Sequence, residues 1–94
     1  MEITVVDSLD KTRFEGYADG TLVGFLNYSR RDPTVVALTH AETLDGFGGQ
    51  GVASQITKFA LDAIRAEGLS VLPACPFVAD YIAANPAYAD LVAN

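Results

Sequence analysis

Four glycines stand within six residues in the stretch Asp45-Gly46-Phe47-Gly48-Gly49-Gln50-Gly51-Val52-Ala53. Without Cβ atoms such a loop turns tightly and lets an anion approach its backbone N–H groups. An amphipathic pattern starts directly after Gly51, so the loop leads into a helix whose first amides have no intrahelical partner. Those amides and the positive end of the helix dipole favour phosphate, and a pyrophosphate-bearing ligand is the expected guest. Two other residues could do chemistry. Cys75 lies between Pro73 and Pro76 at the expected start of a second helix, where a thiolate gains stabilisation. A lone cysteine is also commonly a small buried hydrophobe. His40, the single histidine, shares a strand face with Glu42 and could accept a proton, or simply keep a hydrogen bond.

Placing these residues requires strands before the loop and a strand–helix–strand unit around it. Residues 2–7, rich in Ile, Thr and Val, read as a first strand, broken by the polar run Ser8-Leu9-Asp10-Lys11-Thr12. Residues 13–18 form a second, and Asp19-Gly20 signals a two-residue hairpin. Residues 21–29 follow as the third, with Leu22, Gly24, Leu26 and Tyr28 on one face and Val23 and Phe25 on the other. Apolar side chains on both faces predict a central strand covered on each side. Arg30-Arg31-Asp32-Pro33 makes the next turn, and residues 34–43 form the fourth strand. Short connections make this part antiparallel. After the loop, Val52, Ile56, Phe59, Ala60, Ala63 and Ile64 recur at helical spacing to about Glu67, where Gly68 supplies the stop. Residues 69–72 are a short buried strand that must pair in parallel across the helical crossover. Pro76 suits the first turn of a second helix, Asn85-Pro86 ends it, and residues 87–92 form one more short helical piece. The architecture expected is α+β: an antiparallel meander, then one β-α-β unit and short C-terminal helices.

Ninety-four residues, half of them hydrophobic and 19% charged, suit one domain spanning residues 1–94 with a real core. A single cysteine excludes an intramolecular disulfide, and no apolar run reaches the length of a membrane span. The start Met1-Glu2-Ile3-Thr4 lacks the basic region of a signal peptide, so a cytoplasmic setting is expected. The formal net charge of −6 argues against nonspecific nucleic-acid binding and favours a cationic amine. An anionic ligand must then be held by local amides. No metal is expected.

Gly46, Gly48 and Gly51 match the dinucleotide-binding spacing G-x-G-x-x-G. That motif belongs after a first parallel strand, and its ribose-binding acid is missing from Ser70-Val71-Leu72-Pro73. A P-loop fits less well, since no Lys-Ser or Lys-Thr follows Gly51. A meander leading through a glycine loop to a long helix and one parallel strand resembles instead the GNAT superfamily of N-acetyltransferases. Gly48-Gly49-Gln50-Gly51-Val52-Ala53 is similar to its acetyl-CoA pyrophosphate loop, [QR]-x-x-G-x-[GA]. Gly51 and Ala53 match the last two positions, and Gly48 stands where Gln or Arg is usual. The resemblance sharpens toward very short single-domain GNAT-like proteins through Asp19-Gly20, Leu38-Thr39-His40, Gly49-Gln50-Gly51, Pro73-Ala74-Cys75-Pro76-Phe77-Val78, Tyr81 and Asn85-Pro86-Ala87-Tyr88.

The resemblance implies a GNAT-like mixed sheet with acetyl-CoA, the co-substrate, between the fourth and fifth strands where they splay apart. Leu38, Thr39 and His40 are the candidate backbone partners of the pantetheine arm. Gly48, Gly49, Gln50, Gly51, Val52 and Ala53 are the candidates for the pyrophosphate. Acetyl would pass from the thioester to an amine, either a small amine or a protein or peptide amino group. Cys75 and His40 are the candidate catalytic residues, with His40 as proton acceptor and Cys75 either carrying acetyl or orienting groups for direct attack. Tyr28, Tyr81 and Tyr88 read as core or rim aromatics, Tyr81 also as a cleft-lining candidate. Lys58 and Arg65 are helix-surface cations that could reach the cofactor's 3′-phosphate. GNAT proteins usually place helices between their first two strands; here Ser8 to Thr12 leaves room for a loop alone. The acceptor side should therefore be open, or walled by a second subunit of a homodimer. The alternative is a non-catalytic acyl-CoA-binding or protein-interaction module on the same fold.

Overall fold

The computed structural model describes residues 1–93. Eight elements follow in order: β1 (Thr4–Ser8), β2 (Arg13–Ala18), β3 (Thr21–Asp32), β4 (Val35–Thr43), α1 (Val52–Ala66), β5 (Ser70–Pro73), α2 (Pro76–Ala84) and a 3-10 segment at Pro86–Leu91. They build one five-stranded sheet in the order β1-β2-β3-β4-β5. The first four strands pair antiparallel, and β5 pairs with β4 in parallel after the crossover through α1. The α+β architecture read from the sequence is the one observed.

The hairpin at Asp19 and Gly20 places both residues at positive φ, 50° and 79°, as a two-residue turn between twisted strands demands. The β3–β4 turn lies later than expected. Arg30 and Asp32 still pair with Val36 and Val35, so β3 runs to Asp32 and the chain reverses at Pro33 and Thr34. The Asp32 carboxylate secures that reversal, accepting from the Thr34 N–H at 2.7 Å and its hydroxyl at 2.8 Å.

Two of the sheet's three register shifts set which side chains share a face around the site. Gly16 pairs with Gly24 but Tyr17 pairs with Leu22, leaving Val23 as an extra residue. Leu22 therefore sits opposite Tyr17 rather than on the face of Gly24 and Leu26, because a bulge interrupts the alternation. Asn27 pairs with His40 and Tyr28 with Leu38, leaving Thr39 as the extra residue on β4. Both bulges increase local twist, and the second lies where β4 parts from β5.

Helix α1 crosses one face of the sheet. A Cβ on Gly24 would come within 2.8 Å of Val52 and of the Glu42 carbonyl, and one on Gly16 within 2.9 Å of Ile56. These two paired glycines let the helix lie against the strands and fix its N-terminus beside the end of β4. Val52, Ile56, Thr57, Ala60, Leu61 and Ile64 are its buried residues. Each large aliphatic buried there contributes about 1.5–3 kcal/mol. The helical spacing misplaced one position: Leu61 is in the core, whereas Phe59 is 42% exposed and meets Phe14 edge-on. The helix ends at Gly68, φ 72°, with Leu69 N–H returning to the Ile64 carbonyl.

Helix α2 and the 3-10 segment pack against α1 and β5, joining the same core through Val78, Ile82 and Leu91. Arg65 of α1 ties the segment down by two bonds to Asp90 and one to the Ala87 carbonyl. Tyr28 is buried on this side and donates to Asp7 at 2.7 Å; burial, then that bond, pushes its phenol up to about 12. The opposite face carries no helix among the described residues, which corrects the expectation of cover on both sides of β3. Phe25 on that face is shielded by a side chain: the Arg13 guanidinium lies 4.4 Å from its ring centre.

Candidate functional site

The glycine loop turns as its composition suggests. Gly46, Gly49 and Gly51 have φ of 90°, 76° and 76°, conformations that a side chain disfavours. A Cβ at Gly46, Gly48, Gly49 or Gly51 would meet nothing within 4 Å, so the loop's outer surface is open. Gly51 is the N-cap of α1, with no side-chain cap and no acid in the first turn. The first backbone bond of the helix runs from Gln55 N–H to the Gly51 carbonyl, and the N–H groups of residues 48–54 have no partner among the described residues. Unpartnered amides at a positive helix end can cradle an anion with backbone alone.

Beside the cradle lies a cavity of about 260 Å³ lined by Thr43, Phe47, Gly49, Gly51, Val52, Ala53, Ser54 and Phe77. Thr43, Phe47, Ser54 and Phe77 were not singled out from the sequence as lining residues. Phe77 stands inside the Pro-x-Cys-Pro-Phe-Val run, so a signal was present, but no periodicity separates a rim aromatic from a core one. No lining residue is a cation. Arg65 is committed to Asp90 and Ala87, and Lys58 pairs with Asp62 at 2.9 Å on another flank of α1. Any phosphate here would rest on amides, without either of these cations.

From the cradle a free strand edge leads away. β5 stops at Pro73 while β4 continues to Thr43, so residues 39–43 have no strand beside them on that edge. The ladder closes where Cys75 N–H donates to the Leu38 carbonyl at 2.9 Å. Leu38 is thus inside the paired region, and the exposed edge begins with Thr39 and His40 at the bulge. A ligand bearing amides could pair with this edge as a strand would.

The two proposed catalytic side chains are not brought together. His40 projects onto the helix-free face, half exposed, with Nε2 3.2 Å from Glu42 Oε1 and its ring 6.3 Å from that of Phe25. Cys75 is a free thiol 5% exposed and packed in the core between sheet and helices. At the N-cap of α2 its sulfur is turned inward, so the structure shows a buried thiol there and not one open to solvent. Tyr81 packs toward Tyr88, 6.2 Å between ring centres, and does not line the cavity. Among the described residues no group of three His, Cys, Asp or Glu side chains could hold a metal ion, and no helix is long and apolar enough to cross a membrane.

The helix-free face has its own order. Val6, Glu15, Phe25 and Glu42 lie in register across four strands, next to a row of Ser8, Arg13, Asn27 and His40. Glu15 is buried there by its neighbours, accepting from Tyr17 at 2.8 Å and from Arg13 at 2.6 Å. Tyr17, then Arg13, hold its carboxyl below the usual range.

Residues 13–91 match the family model described as GCN5-related N-acetyl-transferase. The chain belongs to this family. Among curated proteins, Protein NATD1 of chicken, mouse and human is 35% identical over 52 residues, which is 55% of this chain. The chain spans about half the length of the curated relatives it matches. Among solved structures, a GCN5-like protein from Staphylococcus aureus superposes with a TM-score of 0.74 at 18% identity, covering 97% of this chain and 88% of the other. A ribosomal-protein-alanine N-acetyltransferase from Brucella melitensis biovar Abortus gives 0.57 at 20% identity, covering 87% and 61%. Ard1 from Thermoplasma volcanium gives 0.59 at 22% identity, covering 67% and 43%. These likenesses establish the GNAT fold.

Proposed function

We propose that the protein is an acetyl-CoA-dependent N-acetyltransferase, acting as one domain and moving acetyl from the thioester to an amine. The observation that carries this reading is the row of unpartnered amides at residues 48–54, opening onto a cavity that reaches the end of β4 at Thr43. Those donors fit a diphosphate, and the β4 edge from Thr39 fits an amide-bearing arm; Gly48, Gly49, Gln50, Gly51, Val52, Ala53, Thr39 and His40 are the residues that would hold acetyl-CoA. When bound, it supplies an activated acyl group whose carbonyl is open to attack.

The chain's contribution is placement, polarisation and proton transfer. The backbone at the β4 bulge offers N–H donors at the edge where a carbonyl oxygen would gain charge. In the neutral tautomer that donates Nε2–H to Glu42, His40 keeps Nδ1 free to accept the proton an attacking amine must lose. A C–N bond forms, the C–S bond breaks, and the thiol leaves protonated. Direct attack suits this arrangement better than a relay through Cys75, whose sulfur would have to leave the core first. We assign Cys75 to closing the β4–β5 ladder with its N–H and packing beneath the cleft.

Acceptors follow from the open face. The net charge of −6 and the half-exposed Glu42 favour a cationic amine, and the face that carries Glu42, with no helix over it among the described residues, leaves room for one carried on a polypeptide. The Brucella neighbour, named for acetylating an alanine of a ribosomal protein, supports the same class. Incubating the purified protein with labelled acetyl-CoA and a panel of amines and peptides tests the reading. Transfer to any amine supports it; CoA binding with no transfer or hydrolysis would favour the non-catalytic module. In the same assay, Cys75→Ala should retain most transfer activity and lose about 1–2 kcal/mol of stability from packing. A cysteine-dependent acetyl adduct in intact mass would instead establish the covalent route.

A further inference from the structure

The helix-free face holds a buried carboxylate that the chemistry above does not use. Glu15, in the middle of β2, is only 5% exposed, although no helix covers this face among the described residues. Burying a carboxylate is costly unless charged and hydrogen-bonding partners come with it. Glu15 has both: Arg13 Nε donates to Oε2 at 2.6 Å, and the Tyr17 hydroxyl donates to Oε1 at 2.8 Å. What this arrangement fixes is Arg13. With Nε tied to Glu15, the guanidinium lies 4.4 Å from the centre of the Phe25 ring. No helix packs on Phe25, so this planar cation, its rotamers restricted by two contacts, is what holds the ring down. Phe25 in turn stands diagonally across from His40, since Phe25 pairs with Glu42 and Asn27 with His40. The two ring centres are 6.3 Å apart, with the planes tilted by 58°. His40 is half exposed, with this ring on one side and the Glu42 carboxylate, 3.2 Å away, on the other.

We infer that Arg13 is a positioning residue for His40: held by Glu15, it fixes Phe25, and Phe25 sets the orientation of the imidazole at the β4 edge. The inference rests on the reading of His40 as proton acceptor. A base works only while its nitrogen stays within hydrogen-bond reach of the attacking amine, and a small misplacement costs a large part of the rate. An imidazole on an open sheet face has several staggered rotamers, and a ring on one flank with a carboxylate on the other leaves few of them. Arg13 and Glu15 together carry no net charge, so what they supply to this face is geometry. The buried carboxylate then has a use: it removes the freedom of a long side chain whose planar end must stay in one place.

Steady-state kinetics and NMR of the full chain test this, with circular dichroism to show that each variant is folded. Arg13→Lys keeps the charge but loses the planar group that caps the ring. The expected result is a kcat about tenfold lower at unchanged acceptor KM, with the His40 ring-proton signals displaced. Phe25→Leu should match it in every readout and carries the same test if Arg13→Lys does not fold. Glu15→Gln should give a smaller loss of the same kind. In a His40→Ala background Arg13→Lys should cost nothing further, because a residue that acts through the imidazole has nothing left to act on. A merely structural role would take its toll in both backgrounds. An Arg13→Lys protein as active as the wild type overturns the inference, as does an equal loss with His40 already removed. So do His40 signals that neither Arg13→Lys nor Phe25→Leu moves. These outcomes leave His40 as the base. A wild type indifferent to His40→Ala, or one that transfers acetyl to no amine, overturns that reading and this inference with it.

Discussion

The two halves of the proposed cleft are made of different material. Around α1 the site is backbone: residues 48–54 offer amides, the glycines keep side chains away, and none of the lining residues is charged. On the helix-free face the site is side chain: His40 and Glu42 half exposed, Phe25 beneath the Arg13 guanidinium, Glu15 held by Tyr17 and Arg13. A backbone site is indifferent to most substitutions as long as the chain keeps its path. A side-chain site can be changed one residue at a time. The arrangement suits a protein that recognises an invariant ligand with one half and a variable acceptor with the other.

Substitutions that strike one half and spare the other can break this division. The largest effect is expected on the side-chain half. His40→Ala should lower kcat about 100-fold, the low end for removing a general base, while CoA affinity measured by calorimetry stays as in the wild type. A parallel loss of CoA affinity would mean that the halves are not separable. On the backbone half, Gly48→Arg adds the cation usual at this position. The open space and ordinary φ there admit the side chain, and CoA should bind about fivefold tighter, with the gain fading in high salt. No gain would place the phosphate elsewhere.

The smallest effect concerns pH. Glu15 has its carboxyl lowered below the ordinary 4.5, first by the Tyr17 bond and then by Arg13. Its contribution to stability is therefore complete above pH 4.5 and is lost as pH falls through the lower folded value. Acid titration followed by NMR should shift Tyr17, Arg13 and Phe25 signals together in that window, with the amides of residues 48–54 unmoved. Joint movement of both sets would contradict the division.

The backbone half was legible in the sequence because its signals are local. Glycine clusters, a hairpin Asp-Gly, a Gly68 stop and Pro76 at a first turn each fix conformation within a few residues. All of these appear where expected. The side-chain half was less legible because it depends on register. One extra residue at Val23 moved Leu22 across the sheet, and another at Thr39 set where β4 leaves its partner. Cys75 shows the same limit. Its neighbours fixed the backbone direction, but whether sulfur met solvent or core depended on α1 and α2 packing over it. Likewise, Phe59 and Leu61 lie about 160° apart on a helix wheel at about 100° per residue, on nearly opposite faces, and the sheet beneath decided which was buried.

The backbone cradle is the centre of the account, and Gly48→Asp tests it most directly. A Cβ at this position meets no neighbour within 4 Å and needs no left-handed backbone, so the fold should survive, as an unchanged melting temperature would confirm. Close to the amides of residues 49–54 it would occupy their donors and repel a diphosphate. Calorimetric titration with CoA should then show affinity reduced about 100-fold, roughly 2.7 kcal/mol. Equal affinity in the two proteins would mean that the loop does not hold the phosphates, and the cradle at the head of α1 would be a turn and nothing more.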